Sequence, residues 1–271
     1  MSEHLRVERT GPGGAVARVT LARPEVHNVF DAALIAGLQR TFHELSREGP
    51  TDLRVVVLAG EGRSFCAGGD ATWMRASLGL TREQNEQDAM ALVEMFEAID
   101  RCPAPVIARV QGVALGGGVG LCAVSDLVIA EAGARFGLTE TRLGLLPATI
   151  APFVIAKIGE SQARALFPTG RRFDALRALR VGLVHEVVEG EEALDRAVGA
   201  AVRDLLAAGP EAARAAKAIV HEVRDLPYES TRWHTARLIA AQRVSPEGQE
   251  GLRAFLEKRR PAWAPDDANG S

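Results

Sequence analysis

The chain has 271 residues, with 32 Lys and Arg against 35 Asp and Glu, a formal charge of −3. That near-neutral balance gives no field for gripping a nucleic acid backbone or an anionic membrane, and no basic stripe with interleaved aromatics stands out to suggest RNA binding. With 47% apolar and 25% charged side chains the chain can bury a core, and its 27 glycines against 5% aromatics point to places where backbone must approach something closely.

Residues 1–10 carry Glu3, Arg6, Glu8 and Arg9 and no apolar stretch, so no signal peptide is expected there. Residues 15–21 alternate as a strand does, and residues 53–59 (LRVVVLA) form an apolar run of strand length. Between them Leu34, Ile35, Leu38, Phe42 and Leu45 recur at helical spacing behind Asp31, a residue type suited to the N-cap. A long helix is predicted over 81–100, with Met90, Val93, Phe96 and Ile99 as its buried stripe, stopped by Pro103 and Pro105. Residues 106–110 and 127–130 read as buried strands, with a short helix over 121–124 between them. This alternation predicts an α/β class with buried strands. From about Glu191 helices replace strands: one around Leu194 to Leu206, a second over 211–223 and a third over 232–243, with Gly209-Pro210 and Pro227 as breaks. The division expected is a core of residues 1–195 and a helical region of residues 196–271 ending in a frayed polar tail over 264–271.

Cys66, Cys102 and Cys122 are odd in number and lack CxxC spacing, which predicts free thiols in a reducing compartment. The longest stretch free of ionised side chains, residues 110–125, is too short and too glycine-rich to span a membrane, so a cytoplasmic protein is expected. The six histidines show no metal-binding spacing and no metal site is predicted.

Three segments could carry chemistry. Gly116-Gly117-Gly118-Val119-Gly120 lies between a strand and an apolar helical segment, where unshielded N–H groups suit an anion or a developing oxyanion; a tight, closely packed turn is the plainer reading. The spacing fits neither a dinucleotide fingerprint nor a phosphate loop. Residues 64–70 (SFCAGGD) form a second glycine turn directly after a strand; Cys66 within it has no histidine nearby in sequence and reads as a small buried thiol. Glu140 in residues 136–148 (FGLTETRLGLLPA) is flanked by apolar residues that would raise its pKa into a range useful for proton transfer, or else it is a surface carboxylate paired with Arg142.

Taken in order, residues 21–25 (LARPE), 65–70, 111–121, 136–147 and 250–260 (EGLRAFLEKRR) resemble the enoyl-CoA hydratase/isomerase superfamily, the crotonase fold. Within it, residues 25–28 (EVHN), 73–75 (WMR), 116–121 and 139–149 look most like bacterial methylglutaconyl-CoA and carboxygeranoyl-CoA hydratases. The resemblance implies an α/β superhelix of ββα turns followed by a helical oligomerisation region, and a homotrimer or homohexamer. It implies an acyl-CoA thioester substrate in which coenzyme A is part of the substrate and no separate cofactor is needed. By resemblance, the N–H groups of Gly69 and Gly117 hold the thioester oxygen and Glu140 is the catalytic carboxylate. The Ala67 carbonyl meets adenine, Lys258 lies near the CoA phosphates, and Gly68, Asp70, Gly116 and Gly120 belong to the binding loops.

Two departures qualify it. Gly120 stands where two-carboxylate hydratases carry a second Glu. The leading reading the resemblance implies is hydration or dehydration of a branched α,β-unsaturated acyl-CoA such as methylglutaconyl-CoA; a one-carboxylate double-bond isomerase, which fits Gly120 better chemically, is the second, and a relative that binds CoA without catalysis the third. Residues 147–152 (PATIAP) replace a glycine-rich segment, which predicts a non-standard acyl specificity. A protease reading through the distantly similar fold of caseinolytic subunits fails because no Ser, His and Asp occupy suitable motif positions.

Overall fold

The computed structural model describes residues 4–224 and 226–264. The main sheet orders its strands β1 (Leu5–Thr10), β2 (Val16–Leu21), β3 (Val55–Gly60), β4 (Val106–Val110), β6 (Leu127–Glu131) and β9 (Glu186–Val188). β1 runs antiparallel to β2 and the remaining pairs are parallel. A smaller sheet sets β5 (Val113–Leu115) beside β7 (Arg135–Gly137), which pairs antiparallel with β8 (Arg172–Asp174). The three-residue runs of β5, β7, β8 and β9 are too short to carry a periodicity readable from sequence, and β1, though as long as β2, has only Leu5 and Val7 as apolar positions.

Every residue of β3 and of β4 is buried, as parallel strands covered on both faces must be. The pleat divides them by turns: Val56 and Leu58 join the main core, whereas Val55 and Val57 face a second cluster with Ile107 and Ile129. Helix α1 (Ala32–Leu45) places Leu34, Ile35, Leu38, Phe42 and Leu45 in the main core, and its N-cap is Asp31, which accepts from the Leu34 N–H at 2.7 Å. Short α2 (Ala71–Ser77) leads into α3 (Arg82–Asp100), opened by a capping box of Thr81 and Gln84. The stripe of α3 differs from the one its spacing predicts. Met95, Phe96, Ala98 and Ile99 are buried but Met90 is 54% exposed, because only the last turns of the helix lie over the core.

α4 (Gly117–Val124) begins four residues earlier than predicted. α5 (Ala151–Leu166) and α6 (Ala175–Arg180) follow, and α7 (Glu191–Ala207) buries Leu194, Val198 and Leu206 against the second sheet face. Arg109, buried on β4, reaches Asp195 on α7 at 2.6 Å and Gln111 at 3.1 Å. The position expected to divide core from helical region, 195/196, thus lies inside one continuous helix docked on the sheet. α8 (Pro210–Arg224), α9 (Tyr228–Val244) and α10 (Pro246–Leu256) complete the described chain; the fourth helix of this region goes beyond the three that apolar periodicity outlines. The predicted tail falls, apart from Ala264, outside the described residues. Among the described residues no helix is long and apolar enough to cross a membrane.

Candidate active site

Parallel pairing joins the two glycine turns. Phe65 N–H donates to Gln111 O at 2.9 Å, Cys66 N–H to Val113 O at 3.0 Å, and Leu115 N–H to Cys66 O at 3.0 Å, so the segment after β3 runs alongside β5. The ladder ends with Gly68 against Gly116, where a Cβ on Gly68 would stand 3.0 Å from Leu115 O and 4.0 Å from the Gly116 Cα. Both residues have positive φ, 97° and 51°, which glycine adopts without strain. Two buried amide side chains fix the approach. Gln111 donates to Gly60 O at 2.7 Å and Gly62 O at 2.9 Å, and fully buried Asn28 donates to Glu61 O at 2.9 Å and Ser64 O at 2.8 Å.

Phe30 clamps the first turn from one side: its N–H donates to Gly68 O at 2.7 Å and its carbonyl accepts from Asp70 N–H at 2.8 Å. Those bonds flank Gly69 and leave its own N–H outside the ladder, as a parallel bridge requires. Gly117 opens α4, where the first N–H groups of a helix have no acceptor within it and Gly116 supplies no side-chain cap. The Phe30 ring packs so closely that a Cβ on Gly117 would lie 2.6 Å from its Cε2.

Glu140 sits on a single 3-10 turn, Thr139–Leu143, closed by Leu145 N–H donating to the Glu140 carbonyl at 3.0 Å. A Cβ on Gly116 would be 3.1 Å from Glu140 Oε1, which puts the carboxylate beside the second glycine turn. Its Oε2 is buried without a hydrogen-bond partner. Desolvation pushes the Glu140 carboxyl above its ordinary value, opposed by a hydrogen bond from its own backbone. No ion pair joins it to Arg142 among the described residues; the Arg142 stem lies instead against Gly170.

Gly69, Gly117 and Glu140 line one cavity of about 280 Å³, with Phe30, Trp73, Leu92 and Phe96 among its apolar walls. A larger cavity of about 770 Å³ lies between α3, α5 and α8. Its Lys217 is paired with Asp126 at 2.7 Å and its Lys157 donates to Ser125 O, so volume alone does not make it the reactive site.

The other predicted positions fall around this cavity rather than on it. Gly68 and Gly116 shape the two turns, and half-buried Ala67 donates to His27 O at 3.0 Å. Asp70 is a structural group whose two oxygens accept from Arg23 at 2.9 Å and from the Thr72 N–H at 2.7 Å, capping α2. Lys258 is exposed, with φ 54°, in the turn after α10 and does not reach the cavity. Gly120 is buried behind the wall, and a Cβ there would stand 2.4 Å from Ile150 Cγ2 and 2.8 Å from the Phe96 ring. The thiols are free and buried, and burial pushes that of Cys66 up to about 12, far from a nucleophile's range. No sequence pattern gives a role to Phe30, Asn28 or the α2–α3 wall; the available signal is Trp73-Met74, three and four residues beyond the capping Asp70.

The family model described as enoyl-CoA hydratase/isomerase matches residues 12–266. This chain belongs to that family. A putative enoyl-CoA hydratase of Thermus thermophilus is 32% identical over 250 residues, covering 92% of this chain and 98% of the relative. Among solved structures, AtuE of Pseudomonas aeruginosa superposes with a TM-score of 0.92 at 37% identity, covering 97% of this chain and 100% of that one. An enoyl-CoA hydratase of Shewanella pealeana gives 0.90 at 36%, covering 97% and 96%. The chain is therefore an enzyme of the enoyl-CoA hydratase/isomerase family with the crotonase fold, acting on acyl-CoA thioesters.

Proposed function

We propose that this enzyme adds water across, or removes it from, the α,β double bond of an enoyl-CoA thioester. The observation that carries the proposal is the buried, unpartnered Oε2 of Glu140 in the cavity that Gly69 and Gly117 also line. In hydration Glu140 takes a proton from water as its oxygen attacks C3, and the electron pair moves onto the thioester oxygen held by the Gly69 and Gly117 N–H groups. Protonated Glu140 then delivers that proton to C2 and returns to the carboxylate. A donor of this kind contributes about 2.7–4 kcal/mol in a comparable oxyanion hole. Coenzyme A enters as part of the substrate and no separate cofactor is invoked. The Ala67 carbonyl and Lys258 are proposed to meet adenine and the phosphates outside the acyl cavity.

The isomerase reading is favoured by one observation: the space around Gly120 admits no second carboxylate. There Glu140 removes a proton from C2 of a 3-enoyl-CoA and returns it to C4, with the same oxygen stabilised between the two steps. Turnover of crotonyl-CoA and a 3-enoyl-CoA in heavy-oxygen water separates the readings. Label in the product supports hydration, and an unlabelled shifted alkene supports isomerisation. Wild-type rates in Glu140→Gln would overturn both, and acyl-CoA binding without turnover would leave a non-catalytic CoA-binding protein.

We further propose a homotrimer or a dimer of trimers. α8 to α10 leave Val220, Trp233, Val244, Leu252, Phe255 and Leu256 from 51% to 80% exposed, a surface suited to a second copy. Methylglutaconyl-CoA, one of the branched substrates the sequence resemblance suggests, ends in a carboxylate, for which no Lys, Arg or His lines the cavity among the described residues.

A further inference from the structure

The α2–α3 wall of the cavity carries a carboxylate that the proton transfers above do not use. Asp88 is half-buried on α3 and lines the cavity. Its Oδ1 accepts from Trp73 Nε1 at 3.2 Å, a bond that spans from α2 to α3. The same indole roofs the first glycine turn, since a Cβ on Gly69 would meet Trp73 Cζ3 at 3.5 Å. Asp88 is thus tied through one side chain to the residue proposed to hold the thioester oxygen. A carboxylate only accepts hydrogen bonds, and in a half-buried wall without a cation an open acceptor oxygen favours a donor and repels a negative charge. A site that hydrogen-bonds a substrate group discriminates strongly against analogues that lack it.

Resting on the enoyl-CoA reading, we propose that Asp88, positioned by Trp73, is a specificity-determining residue that selects acyl groups bearing a hydrogen-bond donor and rejects those ending in a carboxylate. The sign is opposite to the one a dicarboxylic substrate needs, because the only charged side chains lining this cavity among the described residues are Asp88 and Glu140.

Binding of three saturated thioesters, which need no turnover, tests it by calorimetry: butyryl-CoA, 4-hydroxybutyryl-CoA and glutaryl-CoA. The full-length protein should bind glutaryl-CoA at least about tenfold more weakly than butyryl-CoA, and 4-hydroxybutyryl-CoA more tightly than either. Asp88→Asn keeps the shape and removes the charge, so the glutaryl to butyryl affinity ratio should rise about tenfold; Asp88→Ser, read the same way, guards against a folding defect in the first variant. A role confined to supporting Trp73 would weaken all three ligands together and leave the ratios fixed, which would overturn the proposal. Wild-type affinities for glutaryl-CoA and butyryl-CoA within threefold of each other would overturn it as well. If none of the three bound, the proposed placing of a short acyl-CoA chain in this cavity would fall, and the specificity claim with it.

Discussion

Glu140 owes its chemistry to what the fold removes from around it. Apolar neighbours in sequence marked it as a candidate, but its separation from Arg142 and its contact with Gly116 depend on how the 3-10 turn meets α4, which adjacency along the chain cannot show. Replacing it by Gln should lower kcat by about 10²–10⁴-fold in a steady-state assay, the usual contribution of a positioned acid–base group. Because burial raises its pKa, the acid limb of kcat/KM should lie above the ordinary carboxylate value of 4.5. The same shift has a stability consequence. A carboxyl with a raised folded-state pKa favours the fold below its unfolded pKa, and that contribution is lost as pH rises through the folded pKa. Glu140→Gln should therefore melt at a higher temperature than wild type at pH 7, with the gap closing as the pH is lowered through the carboxylate range. Gly120 gives the opposite lesson: its departure from the two-carboxylate pattern is plain in the sequence, yet the reason, Ile150 and Phe96 filling the space, appears only in three dimensions. Gly120→Ala should lose about 1–3 kcal/mol in denaturant unfolding through overpacking.

At the level of elements, those with a long one-sided pattern were legible and those defined by pairing were not. α1 showed both its apolar face and its Asp31 cap, and β3 showed as an apolar run. The start of α4 was hidden because glycines carry no periodicity, although the unshielded helix N-terminus they create could be foreseen. Met90, on the stripe that spacing predicts for α3, is exposed, since periodicity marks a stripe without saying where along the helix the core ends. α7 is the element whose docking matters most to the second face of the main sheet. Leu194 is fully buried there, so Leu194→Ala should cost about 2–5 kcal/mol in urea unfolding, well above any single exposed change on α9.

Across the whole molecule, five ordered motifs made the family legible, while the strand order of the main sheet came from long-range pairing that no local pattern encodes. Asn28 and Gln111 show why the candidate site was only partly readable. Their amide groups bond backbone far along the chain, and through it they set the glycine turns without touching the cavity. Sedimentation equilibrium should find three or six copies per particle, and charged substitutions at Phe255 and Leu256 should shift it toward monomer. The proposed catalysis rests on two main-chain donors meeting one thioester oxygen beside a single acid. A crystal structure with a bound non-hydrolysable enoyl-CoA analogue measures this directly. The thioester oxygen should lie about 2.7–3.1 Å from both the Gly69 and Gly117 nitrogens, with a Glu140 oxygen against C2 and C3. An oxygen that meets neither nitrogen, or an acyl chain lying away from Glu140, would contradict it.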